Sequence, residues 1–143
     1  MVDYQLHSLE RPGEELREAV LRPLRDYNER FGGPANYTRV AILLIDGSDR
    51  SPVGGLWGHH SYDWLFVELL AVPDGLRGRG FGRALLAEAE RQAAVRSAVG
   101  VWLDTFSFQA RGFYEKLGYT LFGELPDHPQ GGARFFLQKR LDR

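Results

Sequence analysis

Residues 65–99 read LFVELLAVPDGLRGRGFGRALLAEAERQAAVRSAV, and three textures follow one another in that stretch. Leu65 to Val72 is an apolar run, Leu76 to Arg83 alternates glycine with arginine, and Ala84 to Val99 has the alanine and leucine content of a helix. Strand, loop and helix in that order make a cradle for a phosphate. Glycines let the backbone take positive φ and admit a ligand close to it, while the first turn of a helix leaves several N–H groups without internal partners. An oxyanion, above all a diphosphate, satisfies those donors and the positive end of the helix dipole together, and Arg77, Arg79 and Arg83 add charge around it.

Two other cradles share this texture. A P-loop needs Lys and then Ser or Thr after its last glycine, whereas Gly82 is followed by Arg83 and Ala84, so a Mg²⁺-triphosphate site is excluded. A dinucleotide fingerprint beginning at Gly78 and Gly80 needs a third glycine where Arg83 stands, and Pro73 to Arg77 separate it from the strand. Asp104 lies at about the distance of a ribose-binding acid, so an oxidoreductase stays open as an alternative.

Outward from the cradle, Pro12, Gly13 and Glu14 announce a helix, and Leu16, Val20, Leu24, Tyr27 and Phe31 recur at helical spacing until Gly32-Gly33-Pro34. Pro23 in the middle predicts two helices or one kinked helix. Val2 to Leu6 reads as a short strand ahead of it. Arg39 to Ile45, Val53 to Gly58 and Trp64 to Val72 read as an antiparallel meander, separated by Asp46-Gly47-Ser48-Asp49 and the turn at Ser61 to Asp63. After the cradle helix, Val101 to Thr105 is a β-type run and Gln109 to Leu117 a short helix closed by Gly118. Tyr119 to Gly123 and Arg134 to Lys139 form a last strand pair. The third meander strand and Val101 to Thr105 flank a crossover helix, so they lie parallel and adjacent, and a ligand sits where such strands diverge.

The 143 residues suit a single domain, residues 1–143, without repeats or linkers. Basic and acidic residues number 18 and 19 and are well mixed, which argues against a nucleic-acid partner. There is no cysteine, hence no disulfide framework and no thiolate nucleophile. Met1 to Glu10 lacks the pattern of a signal peptide and no apolar run approaches a membrane span, so a cytoplasmic protein without membrane contact is expected.

Two motifs then carry a resemblance. Arg77-x-x-Gly80-x-Gly82 matches the Arg/Gln-x-x-Gly-x-Gly/Ala diphosphate motif of the GNAT superfamily of acetyl-CoA-dependent N-acetyltransferases, and Phe113-Tyr114-Glu115-Lys116-Leu117-Gly118-Tyr119 resembles its next helix and following strand. The resemblance runs from about Arg39 to Leu141. It implies an α/β fold: a mixed, mostly antiparallel sheet of six to seven strands with a central splayed parallel pair and about four flanking helices. It implies acetyl-CoA as cosubstrate, held by Leu70, Ala71 and Val72 through backbone pairing with the pantetheine arm and by Arg77, Gly78, Arg79, Gly80, Phe81, Gly82 and Arg83 at the diphosphate. Ser107 stands where many members carry an asparagine that holds the pantetheine arm.

Acetyl transfer to an amine needs a neutral nucleophile, a stabilised oxyanion and a leaving thiolate. An alkyl amine of pKa about 10.4 requires roughly 4 to 5 kcal/mol to deprotonate at neutral pH, so a base or a water leading from one is expected. Glu68 is the first candidate. It interrupts an apolar strand on the face of Leu70, where burial would raise its pKa, and Asp104 is the alternative. The family implies Tyr114 as general acid toward the thiolate and a backbone N–H near Val72 for the oxyanion. It also builds the acceptor pocket from the first helices, the meander turn and the final loop, which here offer Tyr27, Trp57, His59, His60, Asp63, Trp64, Asp127 and His128. Rings and acids suit an ammonium substrate, whether small molecule or peptide. His59 and His60 point to opposite faces of a strand, so no metal is expected. The reading is direct transfer from acetyl-CoA to a primary amine in a ternary complex, with a non-catalytic acyl-CoA-binding module as the alternative. Edge strands at the C-terminus allow a homodimer.

Overall fold

The structure is a computed structural model that describes residues 2–142, and these fall into two compact units dividing after Ala35. In the first unit residues 2–9 carry no regular structure, so the strand expected at Val2 to Leu6 is not formed. No neighbouring run in that unit offers it a strand to pair with, and an unpaired strand leaves its backbone donors and acceptors without a ladder. Helix α1, Glu14–Gly32, is one helix that runs through Pro23 in place of two. Acidic Glu14 and Glu15 occupy its positive end, and Gly33 closes it at φ 77° with its N–H on Glu29 O.

The second unit is a sheet of six strands: β1 Thr38–Ile45, β2 Pro52–Ser61, β3 Trp64–Ala71, β4 Gly100–Phe106, β5 Thr120–Pro126 and β6 Ala133–Arg140. Their order across the sheet is β1-β2-β3-β4-β6-β5, and β3 with β4 is its parallel pair. The sheet is accompanied by helices α2, Phe81–Val95, and α3, Arg111–Lys116, and by a short 3₁₀ turn at Asp74–Leu76. Among the described residues there are three α-helices, the N-terminal pattern forming one helix. Among the described residues, no helix is long and apolar enough to cross a membrane.

The core lies between one face of this sheet and α2. Leu85, Leu86, Ala89 and Ala93 are the buried positions of α2, and they meet Leu56, Leu65, Val67, Val101, Leu103 and Leu137. Each fully buried leucine contributes about 1.5–3 kcal/mol by leaving water, so this stripe fixes α2 against the strands that carry the cradle.

Two irregularities in β3 shape the site. Trp57 pairs with Leu69 and Gly58 with Val67, so Glu68 is an extra residue in a β-bulge. A bulge reverses the alternation beyond it. Leu65 and Val67 belong to the core, and after the bulge Leu70 and Val72 pack on that core while Leu69 is 58% exposed. Uninterrupted alternation would have put Leu69 and Ala71 on the face of Val67 instead. The second irregularity is that the β3–β4 ladder stops at Val67↔Leu103 although both strands continue.

Candidate active site

Beyond Val67 and Leu103, β3 stays bonded to β2 through Leu69 to Ala71 and β4 stays bonded to β6 through Phe106, but not to each other. The result is a wedge. Its β3 wall runs from Glu68 to Ala71, about 13 Å of strand edge whose main-chain groups on that side are free to pair with an extended ligand. Leu70, Ala71 and Val72 thus line the opening from which the chain passes into the cradle.

In the cradle, Gly78 and Gly80 take φ of 76° and 85°, and Gly80 is the left-handed N-cap of α2. Ala84 N–H closes the first helical hydrogen bond on Gly80 O at 3.0 Å, and no side chain caps the turn. The amides of Phe81, Gly82 and Arg83 consequently lie ahead of the ladder, pointing out of the helix end. Gly82 serves a different purpose. A Cβ there would come within 3.2 Å of the Phe113 ring, so its absence lets α2 and α3 approach. Of the three arginines, Arg77 is turned onto its own loop, with Nε donating to Val72 O at 3.2 Å and its guanidinium 3.0 Å from Asp74. Arg79 lies over the Phe81 ring, while Arg83 forms no ion pair among the described residues.

Tyr114 is set by the way α3 ends. Tyr119 N–H donates to Tyr114 O at 3.1 Å and Gly118 N–H to Glu115 O at 3.1 Å, with Gly118 at φ 96°, which is a Schellman closure. The rings of Tyr114 and Tyr119 meet edge to face at 6.1 Å, and Phe113 flanks Tyr114 at 5.1 Å. Burial, and then the Asp104 carboxylate at the end of β4, push the Tyr114 phenol above its ordinary pKa. Both effects favour the protonated phenol. Asp104 itself is engaged, gripping Arg134 of β6 through contacts of 2.9 and 2.7 Å. Sequence reasoning passed over Arg134; its signal was a lone charge among the phenylalanines of β6, on the strand beside Asp104.

Glu68 is exposed on the bulge, which corrects the buried setting and the face shared with Leu70 that the sequence suggested. The bulge places it at the first residue past the end of the β3–β4 ladder. Ser107 follows β4 directly. Its N–H donates to Ala133 O at 2.8 Å and its Oγ accepts Ala133 N–H at 3.0 Å, leaving the hydroxyl proton to donate elsewhere.

The acceptor candidates do not all converge. Trp57 stands opposite Leu69, 41% exposed at the bulge. Asp127 lies in the β5–β6 loop, whose strand end pairs with Phe106, so it shares the wedge's end of the sheet; Gly131 N–H donates to its Oδ1 at 3.1 Å. His128 follows, its ring 5.2 Å from Phe106. His59 sits mid-sheet between Tyr37 and Phe66. Asp63 is in the β2–β3 turn, at the opposite end of β3 from the wedge. Trp64 begins β3 at that same far end, and Tyr27 belongs to the N-terminal unit, its ring tilted against Phe31 at 4.6 Å. His60, opposite His59 in facing, is 6% exposed in the core with its Nε2 unpartnered. Among the described residues, no three His, Cys, Asp or Glu side chains gather as metal ligands.

This geometry can be set beside known proteins. The family model of the acetyltransferase (GNAT) family matches residues 4–119. An acetyltransferase of Agrobacterium fabrum is 39% identical over 128 residues, 89% of this chain and 92% of that protein. The blasticidin-S acetyltransferase of Streptomyces morookaense is 44% identical over 89 residues, 62% of this chain and 65% of that one. A crystal structure of an acetyltransferase from Agrobacterium tumefaciens superposes with a TM-score of 0.87 at 33% identity, covering 98% of this chain and 100% of that one. An aminoglycoside 6′-N-acetyltransferase crystallised with coenzyme A shares the fold, with a TM-score of 0.64 at 19% identity over 94% of this chain and 95% of that one. A splayed parallel pair, an uncapped glycine cradle and a match over most of the sequence agree: the chain belongs to the acetyltransferase (GNAT) family.

Proposed function

We propose that this acetyltransferase moves the acetyl group of acetyl-CoA onto a primary amine by direct attack in a ternary complex, with the whole chain acting as one catalytic domain. The observation that carries the reading is the ladder ending at Val67↔Leu103, which leaves a strand edge unpaired with β4 ahead of the uncapped amides of α2. The residues fit the donor. The amides of Phe81 to Arg83 suit a diphosphate, the edge from Leu70 to Val72 suits the amides of the pantetheine arm, and the free proton of Ser107 suits one of its carbonyls. When bound, acetyl-CoA supplies an activated acyl group on a thiol leaving group.

The chain's residues then do three things. Backbone N–H groups near Val72 offer a preorganised donor where negative charge develops on the carbonyl oxygen. Tyr114, kept protonated by its surroundings, donates a hydrogen bond toward the departing sulfur. Glu68, exposed at the mouth of the wedge, accepts the amine's proton directly or through water, with Asp104 second because Arg134 already holds it. Holding both substrates in register supplies much of the rate.

The acceptor is an amine-bearing small molecule or peptide. Trp57, His59 and Asp127 are the proposed acceptor contacts, and Asp63 is retained only for a substrate long enough to span the sheet. The curated relative named for blasticidin S and the aminoglycoside enzyme support small-molecule amines as the first to try. No metal is required by this chemistry. A chain with no cysteine suits a reducing compartment, which supports a cytoplasmic setting, and the edge strand β5 is where a second copy would pair. Screening amines for release of free thiol from acetyl-CoA tests the reading: turnover with at least one amine is expected, and binding without turnover across the panel would leave an acyl-CoA-binding module instead.

A further inference from the structure

Along β4 the buried residues Val101, Leu103 and Thr105 turn to the core, so Trp102, Asp104 and Phe106 line the opposite face of the sheet. β6 adds Arg134 and Phe136 to that face, because Phe106 pairs with Arg134 and Asp104 with Phe136. Both helices of the second unit lie on the core side, α2 through its buried stripe and α3 through Phe113 and Tyr114. The cradle is at the head of α2. On the acetyl-CoA reading, the face of Asp104 and Arg134 is therefore the one this unit leaves for the acceptor.

Arg134 is only half used by its own protein. Its Nε donates to Asp104 Oδ1 at 2.9 Å and its Nη2 stands 2.7 Å from Oδ2, which occupies the side fork of the guanidinium. The end fork, Nη1 with the second hydrogen of Nη2, donates to no group among the described residues, and the side chain is 33% exposed. The guanidinium carbon also lies 5.6 Å from the Phe106 ring and 5.4 Å from the Phe136 ring. Carboxylate and rings thus hold the plane before any ligand arrives, which favours bidentate recognition of a second carboxylate. One positive charge already shared with Asp104 suits a monoanion better than a dianion. Glu68 and Asp127, at the same end of the sheet, repel an acceptor of net negative charge, which a zwitterion is not.

We propose that the unused fork of Arg134 binds a carboxylate on the acceptor, so that the preferred acceptor is an amino acid or short peptide whose amine lies within a few bonds of that carboxylate. The inference rests on the acetyl-transfer reading above and names the substrate class for it. The spacing follows from the strands. Asp104 is the first residue of β4 beyond the ladder, so a group held beside it lies about one strand spacing, roughly 5 Å, from the wedge. Asp104 is then a positioning residue that holds Arg134, and Glu68 is left to take the amine's proton.

Thiol release from acetyl-CoA by the full chain, read with matched acceptors, tests this. The probes are the common α-amino acids, β-alanine and γ-aminobutyrate, each beside its primary amide, with polyamines as acceptors that carry no carboxylate. The expected result is a kcat/KM at least about tenfold higher for the best acid than for its amide, carried mainly by KM. Arg134→Gln should cut that preference about tenfold, and Arg134→Lys, which keeps the charge without the fork, should retain part of it. The comparison of acid with amide in the unmodified protein needs no variant to fold, and melting curves identify a variant that does not. Equal kcat/KM for acid and amide, or turnover confined to amines without a carboxylate, overturns the proposal and leaves acetyl transfer standing. Equal loss with acid and amide in a folded Arg134→Gln variant also overturns it, since Arg134 would then act only through Asp104. Absence of turnover with every amine would instead sink the acetyl-transfer reading, and this one with it.

Discussion

Replacing Tyr114 with Phe removes one oxygen and keeps the ring that packs between Phe113 and Tyr119. The hydroxyl donates to no described side chain, so no partner is orphaned and stability should change by less than about 1 kcal/mol. The effect on turnover should be larger. A phenol of ordinary pKa near 10 giving its proton to a thiolate near 8.5 already works roughly 2 kcal/mol uphill, and burial with Asp104 raises the phenol further. Full proton transfer is thus disfavoured, and a hydrogen bond to the departing sulfur, worth about 1.5–3 kcal/mol for a charged acceptor, is the contribution lost. That corresponds to a fall in kcat of about 10- to 150-fold, with KM for acetyl-CoA within about threefold. Thiol release at saturating acetyl-CoA reads the first, and a melting curve reads the second. A kcat within twofold of the parent, at unchanged melting temperature, would refute the role given to Tyr114.

Three further outcomes follow from named contacts. Gly80→Ala places a side chain at φ 85°, which should lower stability by about 1–2 kcal/mol, visible as a drop of several degrees in Tm, and should weaken coenzyme A in a calorimetric titration. Gly82→Ala sets a methyl 3.2 Å from the Phe113 ring; overpacking of about 1–3 kcal/mol should appear in the melting curve and, because Phe113 adjoins Tyr114, as a lower kcat. His60 has its pKa lowered by burial first, then by Arg96 and His59, so the unfolded chain binds its proton more readily. Stability should therefore fall as pH drops below about 6.5, and His60→Leu should flatten that part of the pH profile in urea titrations.

The local chemistry of the sequence was enough to locate the cradle, the parallel pair and most strands, because those depend on glycine placement and on apolar runs. What escaped it depends on partners. Glu68 looked buried because alternation along β3 was assumed unbroken, and the bulge opposite Trp57 and Gly58 exists only once β2 is in register. The N-terminal run Val2 to Leu6 alternates like a strand, yet finds no edge to pair with in its own unit. Pro23 would stop an isolated short helix, but α1 extends about two and a half turns on either side of it. Arg77 matched a motif that predicts an anion contact, whereas its side chain closes on Val72 O and Asp74, a choice made by a loop only five residues long. Arg134 gained meaning only from Asp104 beside it.

The most direct test of the central claim is a titration of coenzyme A into ¹⁵N-labelled protein, followed amide by amide. The wedge-and-cradle account predicts that the largest shifts fall on Phe81, Gly82 and Arg83 and on the free edge from Leu70 to Val72, with the strands β1 and β2 little moved. Saturable shifts confined to other surfaces, or none at millimolar ligand, would contradict it.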